Sequence, residues 1–167
     1  MIRVSFLPPD LARWEGVSAE ALCLSFFSDE RPLRGAAGLA DWRLCGALSR
    51  CVIAERMRGD AGEVLLMPAG RRLPFPKVFL FGLGPGRNFS ELRYRDAVRR
   101  TWDVVRGVGV RRFALAAPGR AREAIPARRA LELLLGELSG ERDVEVLVIE
   151  ALAAQKEMAA VLRQARA

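Results

Sequence analysis

Apolar residues alternate along Ile2–Leu7 and stop at Pro8–Pro9, a pattern that predicts a first strand with a firm end. Ala19–Phe27 (AEALCLSFF) is almost continuously apolar, as expected of an interior strand covered on both faces. Ser28–Gly38 turns polar, and Pro32, Gly35 and Gly38 mark it as a loop. Leu44, Cys45, Leu48, Cys51 and Val52 then recur at helical spacing, which predicts one helix over Leu39–Glu55 with Asp41 in its first turn. After Gly59–Gly62 comes a strand at Glu63–Pro68. The short link Arg71–Pro76 leads into a buried strand, Val78–Phe81, and so brief a connection predicts antiparallel pairing of the two.

The second half is built around Lys77–Arg106, which reads as strand, glycine loop (Gly82, Gly84, Gly86) and helix. Ser90 is placed to cap that helix, with Phe89 set to pack back onto its first turns. Tyr94, Ala97, Val98, Thr101, Trp102 and Val105 share its apolar face. On the other face Glu91–Arg95, Asp96–Arg100 and Arg99–Asp103 are opposite charges four apart. Phe113–Ala117 follows as a strand closed by Pro118–Gly119. Then come a leucine-faced helix at Ala127–Leu138, a buried strand at Val144–Ile149 and an alanine-rich helix at Ala151–Arg166. Strands alternating with helices from Val78 onward imply parallel strands joined by right-handed crossovers. The fold expected is α/β, a three-layer α/β/α domain with a mixed sheet, occupying residues 1–167 as one unit.

Composition narrows this picture. A chain of 167 residues with 51% hydrophobic and 28% charged content suits a folded domain with its own core. No apolar run approaches the roughly 18 residues of a membrane span, and the opening MIRVSFLPPD lacks the apolar segment of a secretory signal. The expectation is a cytoplasmic domain that does not meet the membrane. Cys23, Cys45 and Cys51 form no CxxC pair, so they read as reduced, buried thiols, the last two on one helix but pointing to different sides. The formal charge is +7. Lys77 and Lys156 are the only lysines, and the arginines come as scattered pairs (Arg71–Arg72, Arg99–Arg100, Arg111–Arg112, Arg128–Arg129) without interleaved aromatics. That distribution describes solvated surface rather than a nucleic-acid platform.

Candidate chemistry is sparse. The chain has no histidine, which removes Ser–His–Asp and Cys–His catalysis and histidine-ligated metals. No two carboxylates are placed by spacing as general acid and base. Gly82-Leu-Gly-Pro-Gly86 has the strand-to-helix context of a nucleotide loop, yet Arg87 stands where G-x-G-x-x-G needs glycine, and no G-K-[ST] follows. Two readings remain: a tight turn, or an anion site built from the loop amides and Arg87. If the loop after Phe27 lies beside it, Arg34, Gly35 and Gly38 line the same crevice. The candidate anion-binding residues are therefore Arg34, Gly35, Gly38, Gly82, Gly84, Gly86 and Arg87, with no cofactor and no metal ligand expected.

Three blocks, in this order and spacing, resemble the N-terminal domain of the leucyl (cytosol) aminopeptidase family. They are AEALCLSFF with its acidic turn, Gly62–Glu63 opening a strand, and VFLFGLG followed by SELRYRDAV with Leu92–Arg93 near the helix start. RPLRGAAGLADWRLCGALSR is also similar to single-domain bacterial relatives of that domain. The resemblance implies a macro-domain-like α/β/α fold. It does not bring activity: the family's two-metal site of Lys, Asp and Glu ligands and its N-T-D-A-E-G-R-L signature belong to a C-terminal domain, and that signature does not occur here. Macro domains hold ADP-ribose through an N-A-A-N type segment, whereas Asn88 is the only asparagine in this chain. The implied role is a non-catalytic interaction or regulatory module that meets a protein partner or a second copy of itself. The alternatives are non-specific nucleic-acid binding through the arginine pairs, or nucleotide or ADP-ribose binding in a macro-like pocket.

Overall fold

Six strands, β1 (Ile2–Leu7), β2 (Ala21–Phe26), β3 (Val64–Pro68), β4 (Lys77–Gly82), β5 (Arg112–Leu115) and β6 (Val144–Ile149), form one sheet in the order β1-β6-β5-β2-β4-β3. They are seen in a computed structural model that describes residues 2–166; Met1 and Ala167, the outermost residues of the expected domain, lie outside it. All neighbours run parallel except β3, which pairs antiparallel with β4, as the short link between them predicts. The helices are α1 (Leu11–Trp14), α2 (Gly35–Arg43), α3 (Ala47–Ile53), α4 (Glu91–Gly107), α5 (Ala127–Glu137) and α6 (Leu152–Arg166).

Alternation along the strands splits the core into two layers. Cys23, Phe79, Phe113 and Val146 face α4, α5 and α6, where Tyr94, Trp102, Leu134 and Met158 cover them. Leu22, Leu24, Leu80 and Leu147 face the opposite side, against Trp14, Leu48 and Phe75. The result is the mixed-sheet, three-layer α/β/α arrangement with helices on both faces. Two polar groups of the α4 side find partners on the neighbouring segments: the Tyr94 hydroxyl donates to the Ala130 carbonyl (2.8 Å), and the Trp102 indole donates to Glu141 (2.8 Å).

The structure corrects the sequence in three places. The helix expected over Leu39–Glu55 is two helices, and the first begins at Gly35, inside the expected loop. The break falls at Cys45 and Gly46, both at positive φ (55° and 77°), a turn that the helical spacing runs straight across. Asp41 therefore serves a different helix from the one expected. Its carboxylate accepts from the backbone N–H groups of Leu48 (2.9 Å) and Ser49 (3.1 Å), capping the first turn of α3 from the end of α2. Cys45 and Cys51 do not share a helix, and Cys45 is exposed rather than buried. The i,i+4 ion pairs expected within α4 give way to i,i+3 pairs, Asp96–Arg99 and Asp103–Arg106, and to pairs with the neighbouring helix: Arg95 and Arg99 both meet Glu137, and Glu91 forms a two-bonded pair with Arg129. Pairing across helices is available because α4 packs alongside α5.

Candidate ligand crevice

Parallel strands that start at one edge of the domain also end together. Register pairs Phe26 with Gly82 and Leu7 with Ile149, so the C-terminal ends of β2, β4 and, through β5, β6 and β1 open on one side. That side holds a cavity of about 830 Å³. Clefts beyond the carboxyl ends of strands are where open α/β sheets place ligands. The segments after β2 (27–37), after β5 (116–127) and from the end of β6 (149–157) line this one, with Leu83 after β4 and Pro9 after β1.

The loop after β2 brings two acidic residues and the start of α2. Asp29 turns to the glycine loop: its carboxylate accepts from the Gly86 N–H (2.9 Å) and pairs with Arg122 (3.4 Å). The Gly86 hydrogen bond, with help from Arg122, holds the Asp29 carboxyl below the usual carboxylate range. Glu30 turns inward and is only 5% exposed. Its Oε2 accepts from the Phe27 N–H (3.2 Å), while Oε1 is buried with no hydrogen-bond partner. Burial pushes the Glu30 carboxyl above its ordinary value, against the pull of the Phe27 amide, Arg122 and Arg34.

The loop after β5 leans across the cavity. Ala121 approaches α2 so closely that a Cβ on Gly35 would lie 2.9 Å from its own Cβ; Gly35 is also at φ 57°, so glycine is required there twice over. Arg122 lies over the Phe27 ring (5.1 Å from its centre). Arg120, 12% exposed in its side chain, makes a 2.6 Å ion pair with Glu150 at the end of β6 and donates to the Ile125 carbonyl (2.8 Å). Glu150 also accepts from the Ala151 N–H (3.2 Å), so this buried pair is well satisfied. Small apolar residues, Ala36, Ala37, Ala117 and Ala154 among them, make up much of the remaining wall, with Ser25, Glu123 and Glu157 as further polar members.

Of the residues proposed from the sequence, Arg34 and Gly35 line this cavity. Arg34 precedes α2 in extended conformation, and its side chain makes no capping bond. Among the described residues, no protein acceptor meets the N–H groups of Gly35, Ala36 and Ala37, the first turn of α2. Gly38 lies further along α2 and faces a second cavity, of about 720 Å³, beside Asp41 and Trp42. Gly82 ends β4, where a side chain would collide with the Asp60 carbonyl at 2.1 Å, so its role is close packing. Gly84 bonds to Ser28 and Gly59 through its backbone, which puts the glycine loop beside the loop after Phe27. Gly86 donates its N–H to Asp29, and neither residue is part of the cavity wall. Arg87 sits in a short 3-10 turn (Gly86–Asn88), exposed and away from the cavity wall. Sequence reading missed Glu30, Arg120, Arg122 and Glu150. The one available signal was the acidic pair Asp29–Glu30 directly after an interior strand.

Among the described residues, no three His, Cys, Asp or Glu side chains gather as a metal site would need, and no helix is long and apolar enough to cross a membrane. The model of the cytosol aminopeptidase family, N-terminal domain, matches residues 24–141. A probable cytosol aminopeptidase from Paraburkholderia phymatum is 33% identical over 114 residues, covering 66% of this chain; the chain spans 23% of that relative's length. The fold is shared with a Trypanosoma brucei macrodomain whose crystal structure is in complex with ADP-ribose (TM-score 0.73, 17% identity, 96% of this chain and 68% of that one). It is shared as well with a mutant of tomato leucine aminopeptidase (TM-score 0.64, 15% identity, 95% of this chain and 35% of that one). At such identities these two speak for the fold alone: α/β and macrodomain-like. With the model of that family's N-terminal domain matching most of its length, this chain belongs to the cytosol aminopeptidase family, of which it carries the N-terminal domain.

Proposed function

We propose that this domain is a non-catalytic binding module whose strand-end crevice receives a small anionic ligand of the nucleotide class, such as ADP-ribose. The observation that carries the reading is the convergence on one 830 Å³ cavity of an unfilled helix N-terminus (Gly35–Ala37), Arg34 and Arg122. Backbone N–H groups at a helix start favour negative charge, and two guanidinium groups add to it. A macrodomain of the same fold has been crystallised with ADP-ribose, which supports the choice of ligand class. Departures matter too. The chain has a single asparagine, Asn88, and the wall carries alanines and a buried acid, so a modest affinity is expected.

Calorimetric titration with ADP-ribose, and with ADP as comparison, tests this directly: saturable heat at one site is the expected result, and none with either ligand rejects the reading. The residues matched are those of the family's N-terminal domain, so hydrolysis of leucine amides is not expected, with or without manganese or zinc. Turnover by the purified chain would refute the non-catalytic part.

A second reading has its own observation. Trp42 on α2 is 72% exposed and Ile53 on α3 80% exposed, unusual for side chains of their size. They favour a protein partner or self-association on that side of the molecule, which light scattering across a range of concentrations would detect. Nucleic-acid binding has less behind it, because Arg95, Arg99, Arg128 and Arg129 are engaged with carboxylates of α4 and α5.

A further inference from the structure

Glu30 is the feature of the crevice that the ligand reading leaves unexplained. An acid of this kind, 5% exposed with one oxygen unpartnered, is costly to keep unless something completes it. Its neighbours decide what that is. Around the same crevice stand the first-turn N–H groups of α2 and the guanidinium groups of Arg34 and Arg122, all of them donors. An anion drawn there by those donors would meet a repelling charge if Glu30 were ionised. Protonated, Glu30 becomes a donor as well. Because Oε2 already accepts from the Phe27 N–H, the proton belongs on Oε1, the oxygen that has no partner.

We infer that Glu30 takes up one proton from solvent when an anionic ligand enters the crevice, so that the incoming charge faces a neutral carboxyl instead of a carboxylate. Binding is thereby coupled to pH. The inference rests on the ligand-binding reading above and specifies how that site is regulated. The other charged groups facing Glu30 do not supply this coupling. Asp29 is kept ionised by the Gly86 amide and Arg122. Arg31 turns away over the Phe26 ring and donates to the Glu30 and Arg58 carbonyls. Glu150 is engaged by Arg120 and the Ala151 amide, and Glu123 and Glu157 lie exposed at the outer rim. Burial, the largest influence on the Glu30 carboxyl, acts in the direction the coupling needs.

The test is calorimetric titration of the whole chain with ADP-ribose from about pH 5 to about pH 9, in two buffers of different ionisation enthalpy. The diphosphate of that probe does not titrate in this range. For the wild type, affinity should weaken by up to about tenfold per pH unit once Glu30 is ionised in the free protein, and the buffer dependence of the heat should report a proton taken up. Glu30→Gln, which keeps a donor without the charge, should bind within a few-fold of the wild type's acidic-limit affinity at every pH and release no buffer-dependent heat. Saturable binding by the wild type with no proton uptake and no pH slope would overturn the inference while leaving the ligand reading standing. So would a slope unchanged in Glu30→Gln. No binding by either protein at any pH would overturn both. Should the variant not fold, the buffer comparison on the wild type decides alone.

Discussion

Glu30 and Asp29 are adjacent acids with opposite surroundings, and the contrast predicts different behaviour. Asp29 is solvated and hydrogen-bonded by the Gly86 amide, so its carboxyl sits low; Glu30 is buried, so its carboxyl sits high. A raised carboxyl in the folded state binds its proton over a range where the unfolded chain has already lost it. Stability from Glu30 is thus fully present below the ordinary glutamate value and is lost as pH rises through the raised one. Glu30→Gln should match the wild type in acid and become the more stable protein as pH rises through that window, after which the difference holds constant. Urea midpoints measured across the range check this, and two curves that stay parallel would show Glu30 titrating as an ordinary surface acid. Cys23 is fully buried, and burial pushes its thiol up, so it should resist alkylation until the domain unfolds.

Elements were legible where a run of side chains decided them. The bounds of Val144–Ile149 are legible to the residue because an interior parallel strand is largely apolar on both faces. Ser90 was recognised as a cap because the residue type and the following helix agree, and its hydroxyl does accept from the Arg93 N–H. The break between α2 and α3 was not legible, since Leu44, Leu48 and Val52 are buried at helical spacing although two left-handed residues separate the helices. Nor were Arg120 and Arg122, whose partners Glu150 and Asp29 are distant in sequence. Asp41→Ala should uncap α3 and cost about 0.5–2 kcal/mol, read as a lower thermal midpoint. R120M should cost more, about 3–5 kcal/mol, because it leaves Glu150 buried without its partner; R120M with E150M should recover part of that loss. If the double variant were as damaged as the sum of both singles, the pair would have no coupling to recover.

The sheet order sets the strand ends together, and the segments after β2, β5 and β6, with the starts of α2, α5 and α6, are thereby gathered around one cavity. That convergence was only partly visible in advance. The α/β/α architecture followed from the alternation of strand and helix, and Arg34 and Gly35 were named beside the cavity they line. Gly82 and Gly38 were named for chemistry and serve packing or face elsewhere, because glycine marks close approach of any kind, to a ligand or to backbone. The donors at the start of α2 and the buried acid that shares their cavity distinguish a binding site from an inert cleft. The most direct measurement is a two-dimensional N–H NMR titration with ADP-ribose. Shifts should concentrate at Gly35, Ala36, Ala37 and Arg122, with the second cavity around Trp42 and Ser49 unmoved. Shifts confined to that second cavity, or none at any site at saturating ligand, would contradict this reading of the crevice.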